Sequence, residues 1–440
     1  MDNKVTVIGA GLAGCEAAWQ LANAGVKVTL IEMKPLKFSP AHKYNGFAEL
    51  VCSNSLKAAR VNSAAGLLKE EMRRLGSLTV PCAEATAVPA GGALAVDREK
   101  FSDMVTEKIR SHGNIEIISA EQDSIPEGNV IIATGPLTSE KMSAQIKALC
   151  GDGLSFYDAA APIVTFESLD KERIFFGARY GRGDGDYINC PFSKEEYLRF
   201  YNELVNAESA PLHDFDRPSK KGDDFSVYEG CMPIEVLAKR GEDAIRYGAM
   251  KPIGIRHPET NESYYAVVQL RKENQGGTLY NIVGFQTNLK FGEQKRVFSM
   301  IPGLEHAEFV RYGVMHRNSF LNSPKLLNGD FSMRNRPSLF FAGQITGVEG
   351  YMESAASGIM AGINMARRLQ GKGSFILPAD TMIGALQHYI SDETVEDFQP
   401  MGANMGLLPP CPVRMKDKQE RYGVVAQAAL CSFERYISEV

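Results

Sequence analysis

The chain has 440 residues, too many for one simple core, so two or three lobes are expected. Hydrophobic residues at 44% and charged residues at 23% are those of an ordinary globular protein. A net charge of −5 neither demands nor forbids a nucleic-acid partner, because only a local patch need be basic. Eight cysteines without a CxxC pair and seven isolated histidines exclude the usual zinc and iron–sulfur spacings, so free thiols and no metal are expected. The start MDNKVTVIGAG has no basic leader or cleavage site, and no charge-free apolar run approaches bilayer length. A cytoplasmic location and no membrane partner are expected.

The first predicted elements form one unit. Val5–Ile8 reads as a buried strand, and Gly9-Ala10-Gly11-Leu12-Ala13-Gly14 fits G-x-G-x-x-G. A helix follows with Ala17, Ala18 and Leu21 on one face. Gly25 ends it, and Val26–Ile31 is the second strand, closed by Glu32 eighteen residues after Gly14. In this pattern Gly9 allows the tight turn, Gly11 lets the backbone approach a pyrophosphate, and Gly14 packs helix on strand. The helix N-terminus holds the anion, and Glu32 accepts from ribose hydroxyls. Strand, helix, strand and acid in order predict a dinucleotide site.

ELVCSNSLK, residues 49–57, sets Cys52 before Ser53, Asn54 and Ser55, residues that favour turns and helix N-caps. A thiol at a helix N-terminus is stabilised as thiolate, whereas a small buried hydrophobe beside a turn is the alternative reading. VIIATGP, 130–136, is an apolar strand running into Gly135. KEEYLRFYNELVNAES, 194–209, has the pattern of a charged amphipathic helix, and a polar loop follows it. EGCMPIEVLAKRG, 229–241, places Cys231 in a tight segment before a helix. YYAVVQL (264–270) and TLYNIVGF (278–285) read as strands joined by the turn RKENQGG. VRYGVMHRN carries Arg311, His316 and Arg317, candidates for a phosphate or a ligand tail or else plain surface charge.

SLFFAGQITGVEGYMESAASG, 338–358, supplies a late strand, then Gly343 and Gln344, a glycine-rich turn with Tyr351, and a helix opening near Glu353. This segment and the ATG strand resemble those that close on the flavin in the two-dinucleotide-fold flavoproteins, which implies FAD. The tail after Pro378 reads as helical, with RMKDKQER (414–421) either an RNA footprint or a solvated helix face. The expected fold class is α/β: a Rossmann-like FAD-binding domain of the two-dinucleotide-fold type with an inserted α+β domain. The expected division is 1–190, then 191–290 as the insertion, then 291–440 with a helical tail.

Taken together, GAGLAGCEAAWQLA, FAELVCSNSLK, VPAGGALAVDR, IIATGPLTSE, FYDAAAPIV, EGCMPIEV, AVVQLR, TLYNIVGFQT, IPGLE, VRYGVMHRN and FFAGQITGVEGYMESAASG carry a closer resemblance. The sequence resembles the folate- and FAD-dependent tRNA (uracil-5-)-methyltransferases, the TrmFO family, from residue 9 to residue 358. The sister family MnmG is similar only in the nucleotide-binding parts. The resemblance implies methylation of the T-loop uridine of tRNA, with the one-carbon unit from methylenetetrahydrofolate and electrons from FAD reduced by NAD(P)H. Some relatives act on ribosomal RNA, and no motif separates the two.

On this reading Cys231 adds to uracil C6, and Cys52 works on the flavin side as base or as manager of the methylene species. The two roles are exchangeable at this level. Residues 9–14 with Glu32, Gly135, Gly343, Gln344 and Tyr351 would contact cofactors. Tyr351 would stack on the pterin or gate it, or else be an interface or core tyrosine. The tRNA T-arm and the folate and nicotinamide cosubstrates are the expected partners, and a homodimer would widen the basic surface. A flavin oxidoreductase acting on a small molecule and a non-catalytic binding protein are the competing readings.

Overall fold

The computed structural model describes residues 4–39, 42–51, 54–88, 90, 92–150, 154–155, 158–177, 179, 187–210, 233–257, 259–272, 277–316, 320–396 and 398–439. The chain forms two compact units, residues 1–156 with 318–440, and residues 157–317.

In the first unit, five strands are built from short apolar runs: β1 Lys4–Ile8, β2 Lys27–Glu32, β3 Ile115–Ser119, β4 Asn129–Ile132 and β5 Arg336–Phe341. Consecutive residues such as Val130, Ile131 and Ile132 are all fully buried, as a parallel sheet covered on both faces requires. The parallel order is β5–β4–β1–β2–β3, with Ser332–Met333 antiparallel beyond β5. Val7 stands between Leu30 and Ile131 in register. The connection out of β1 runs to one side and β4 lies on the other, which makes the carboxyl ends of β1 and β4 the topological switch point. This is the Rossmann-like α/β architecture that the fingerprint predicts.

Helices complete the unit. α1 (Leu12–Asn23) follows β1 directly. α2 (Ala64–Arg74) is capped by Ser63 Oγ, which accepts from the Gly66 N–H, and α3 (Arg98–Ser111) by Asp97, which accepts from that of Lys100. α4 (Tyr351–Leu369) lies on α1 so closely that a Cβ on Gly358 would come 2.2 Å from the Ala13 carbonyl oxygen. The tail is largely helical, with α5 at Met382–Ser391 and a last helix at Lys418–Glu439 that buries Ala429, Leu430 and Phe433. Among the described residues no helix is long and apolar enough to cross a membrane.

One tie holds α5 to α2. The fully buried carboxylate of Glu71 accepts the N–H groups of Met382 and Ile383 at 2.8 Å each, satisfying orphan donors at the start of α5. Burial nevertheless pushes its pKa up to about 8, above the unfolded value near 4.5. A folded pKa above the unfolded one means extra protons bound when folded, so this contribution is full below pH 4.5 and lost as pH rises through 8. Thermal stability should therefore fall across that window by up to about 5 kcal/mol. Glu71→Gln, followed by calorimetry at several pH values, should flatten the slope, and an unchanged slope would assign it elsewhere.

The second unit is antiparallel. Its sheet runs Phe175–Phe176, Tyr187–Phe192, Ala266–Lys272, Leu279–Ile282, Ile163–Thr165 and Phe309–Arg311. Ile163–Thr165 sits between Leu279–Ile282 and Phe309–Arg311, so the unit extends beyond residues 191–290 on both sides. Helix Lys194–Asn206 opens on a capping box of Ser193 and Glu196 and buries Tyr197, Phe200 and Leu204. These pack with Phe192, Phe285 and Phe298 in the core of the unit.

Candidate functional site

A cavity in the first unit opens at the switch point, with about 1200 Å³ of space when the solvent at its mouth is included. Its walls come from the ends of five strands and the start of α4. They comprise Ile8–Ala13 after β1, Glu32–Lys34 after β2, Ala120–Gln122 after β3, Ala133–Ser139 after β4, and Gly343, Gln344, Tyr351 and Ser354. Gly9, Ala10, Gly11, Leu12, Ala13, Glu32, Gly135, Gly343, Gln344 and Tyr351, singled out in the sequence from three separate segments, thus line one space.

The glycine turn is fixed by backbone contacts. Gly9 has φ +99°, and a Cβ there would lie 2.6 Å from the Ala133 carbonyl oxygen. Gly14 lies behind the turn, not in the cavity wall, and a Cβ on it would sit 1.8 Å from the Gly9 carbonyl oxygen. A Cβ on Gly11, by contrast, would meet no atom within 4 Å. The backbone is therefore bare where α1 begins, and neither a side-chain cap nor a first-turn acid occupies that helix end. Unsatisfied N–H groups and the helix dipole there favour a negatively charged ligand.

Glu32 has two tasks. Its Oε2 accepts the Ala10 N–H at 2.7 Å and its Oε1 accepts the Lys34 N–H at 3.0 Å, which locks the turn to the end of β2. Each carboxylate oxygen has a second lone pair, so capacity for a ligand hydroxyl remains. Below it Lys34, 5% exposed, donates to the carbonyls of Tyr44 and Gly46 and to Glu49 Oε2. Glu49 Oε1 accepts the N–H groups of Lys43 and Tyr44. The buried lysine thus stitches an irregular segment over the cavity floor.

Ser39 Oγ and His42 Nδ1 are 2.5 Å apart on the same wall. Burial, with help from the Lys34 charge, holds the His42 pKa below its usual value, so the ring is neutral near pH 7. On the far wall Thr134 and Thr138 share a hydroxyl hydrogen bond of 2.6 Å. The Gly343 N–H donates to Ser357 Oγ at 2.7 Å, pinning the last turn to α4. The Cys15 thiol donates to the Ala10 carbonyl at 3.3 Å, and burial, then the nearby Glu32 and Glu16, push its pKa well above the ordinary value. It is a packed thiol, not a nucleophile.

Lys34, Ser39, His42, Glu49 and Thr138 were not singled out in the sequence. Cys52 and Cys231 lie outside the described residues, as do Arg317 and the side chain of His316. Arg311 is buried in the second unit and donates to the Ala161 carbonyl at 2.9 Å. In the 414–421 run, Asp417 accepts the Glu420 N–H at the start of the last helix. Among the described residues no group of His, Cys, Asp or Glu could hold a metal ion.

The family described as "Glucose inhibited division protein A" matches residues 4–373. A curated relative from Acetivibrio thermocellus, named methylenetetrahydrofolate–tRNA-(uracil-5-)-methyltransferase TrmFO, is 57% identical over 441 aligned positions, covering 100% of both chains. A protein of the same name from Enterococcus faecalis is 56% identical, covering 98% of each. The chain belongs to the TrmFO family. Among solved structures, that of Aquifex aeolicus GidA is similar with a TM-score of 0.49 and 17% identity, covering 99% of this chain and 75% of that one. The fold of this TrmFO-family chain rests on its own strand order, not on that likeness.

Proposed function

We propose that this protein methylates C5 of the T-loop uridine of tRNA, with methylenetetrahydrofolate as one-carbon donor and FAD reduced by NAD(P)H as reductant. The observation that carries the reading is the 57% identity, end to end, with an enzyme named for that reaction. The cavity supports it independently. Its bare glycine backbone, uncapped helix start and ribose-facing acid suit a dinucleotide.

In this reading the segment from Gly9 to Ala13 would hold the pyrophosphate with Gly14 packed behind it, Glu32 a ribose, and Gly135, Gly343, Gln344 and Tyr351 the remainder of the cofactor. Bound FAD supplies the two electrons that reduce the carbon from methylene to methyl level. The protein must do the rest. Uracil C5 is a poor nucleophile until a thiolate adds to C6, and Cys231 takes that part. C5 then attacks the methylene carbon of the donor as the bond from that carbon to the folate nitrogen breaks. A base removes the C5 proton as the thiolate leaves, and the exocyclic methylene so formed takes up a hydride to become the methyl group, with Cys52 serving on the flavin side. The uridine must also leave its tertiary stack, at a cost of a few kcal/mol that phosphate contacts and a fitted pocket offset. The two halves of the nucleotide-binding fold, with the insertion between them, would act in the cytoplasm, and a homodimer would widen the RNA-binding surface.

The test uses methylenetetrahydrofolate with an isotopically labelled methylene carbon, NADPH, FAD and the purified protein. Unmodified tRNA and ribosomal RNA are incubated separately and their nucleosides read by mass spectrometry. Labelled 5-methyluridine in tRNA is expected. Label only in ribosomal RNA would keep the chemistry and change the substrate. No label in either RNA would overturn the reading.

A further inference from the structure

Glu353, 1% exposed in the first turn of α4, gathers three chain segments of the first unit, yet no step of the proposed reaction uses it. Its Oε1 accepts from Lys57 Nζ at 2.7 Å and from the Ala403 N–H at 3.0 Å. Its Oε2 is buried with no hydrogen-bond partner among the described residues. The residues on either side in the chain point the other way in function: Tyr351 and Ser354 line the cavity.

The partner lysine is delivered by an irregularity. Strand Ser55–Ala58 pairs with Ala93–Val96 through Ser55↔Ala95 and Ala58↔Ala93, so one extra residue is accommodated between them. Such a bulge re-aims a side chain. Lys57 takes φ +63°, a conformation that residues with a Cβ rarely adopt. From α2, the buried Lys69 donates to the Leu56 carbonyl at 2.8 Å and fixes the bulge. The Glu353 charge raises the pKa of Lys57, which keeps the lysine cationic.

The turn that leads into Tyr351 is clamped as well. The Met401 N–H donates to the Gly347 carbonyl and the Glu349 N–H to the Met401 carbonyl, both at 2.8 Å. A Cβ on Gly350 would come 2.2 Å from Glu353 Oε2, so the carboxylate fills the space against the turn.

We propose that Glu353 and Lys57 form a positioning pair that holds the first turn of α4 in the cavity wall and so orients Tyr351 and Ser354 toward the bound dinucleotide. The consequence for methylation rests on the proposed function; the consequence for the flavin environment does not.

The experiment compares holoenzymes carrying Lys57→Met, Lys57→Arg and Glu353→Gln. Lys57 is half exposed, so its variants test the pair even where Glu353→Gln fails to fold. Flavin content should remain at the wild-type level while the visible flavin absorption band shifts. The kcat for tRNA methylation per flavin should fall on the order of 10²-fold, as for a misplaced reacting group, with KM for tRNA unchanged. Lys57→Arg should restore most of it. The double variant Lys57→Met with Glu353→Gln should be no worse than the weaker single, and in a Tyr351→Ala background Glu353→Gln should add less than twofold. Wild-type kcat and flavin spectrum in Lys57→Met, additive losses, or a failure of Lys57→Arg to recover would each overturn the proposal. If wild-type protein makes no 5-methyluridine, the function fails, and the flavin band of the variants still decides on the pair.

Discussion

Cys231→Ala is expected to abolish 5-methyluridine formation while the protein stays yellow and is still reduced by NADPH. Loss of a covalent nucleophile costs several orders of magnitude, so a fall of about 10³-fold or more is the expected reading. The described residues that line the cofactor cavity fall within 8–142 and 343–354, and flavin content is expected to stay at the wild-type level. The assignment of roles has its own readout. On tRNA carrying 5-fluorouridine, with methylenetetrahydrofolate present, thiolate addition at C6 and attack of C5 on the methylene carbon leave a covalent protein–RNA adduct, because fluorine cannot leave C5 as a cation. That adduct should form with Cys52→Ala and be missing with Cys231→Ala on a denaturing gel. The reverse pattern would exchange the two thiols, and adducts in both would remove each from the attack on C6. Because an ordinary thiol has a pKa of about 8.5, the adduct rate should rise with pH until the thiolate is fully formed.

What was legible in the sequence was whatever the backbone demands locally. The run from Val5 to Glu32 emerges as β1, α1 and β2 because a tight turn, a bare helix start and a packed third glycine each leave a residue type at a fixed offset. VIIATGP and the strand before Gly343 emerge as neighbours β4 and β5 for the same reason. The cavity floor was not legible. Lys34 is held by carbonyls of Tyr44 and Gly46, and carbonyl partners leave no trace in side-chain identity. Glu71 looks like one more charge on an amphipathic helix, yet its partners are N–H groups some 311 residues later in the chain. The bulge at Lys57 has no turn signal of its own, since only pairing with Ala93–Val96 reveals the extra residue. In the second unit, Ile163–Thr165 is three residues long and belongs with strands more than a hundred residues away, too short a run for periodicity to place.

Gly11→Ala and Gly14→Ala should fail in different ways, and the difference locates the anion. At Gly14 the new methyl would sit 1.8 Å from the carbonyl oxygen of Gly9, a backbone atom whose turn is held by the Gly9 N–H to Ile31 carbonyl bond of 2.8 Å. Nothing flexible is present to yield, so α1 must back away from the turn. Overpacking of this kind costs about 1–3 kcal/mol, and both the melting temperature and FAD retention should drop. At Gly11 the new methyl meets no protein atom within 4 Å. The apoprotein should therefore melt at the wild-type temperature or slightly above, since alanine restricts the unfolded chain more than glycine. If a pyrophosphate lies against that backbone, the methyl takes its place, and FAD affinity measured by flavin fluorescence should weaken at least tenfold without any loss of fold. Unchanged FAD affinity in Gly11→Ala would move the anion off the start of α1. A melting loss in Gly11→Ala equal to that in Gly14→Ala would show that the open space beside Gly11 is needed by the fold itself.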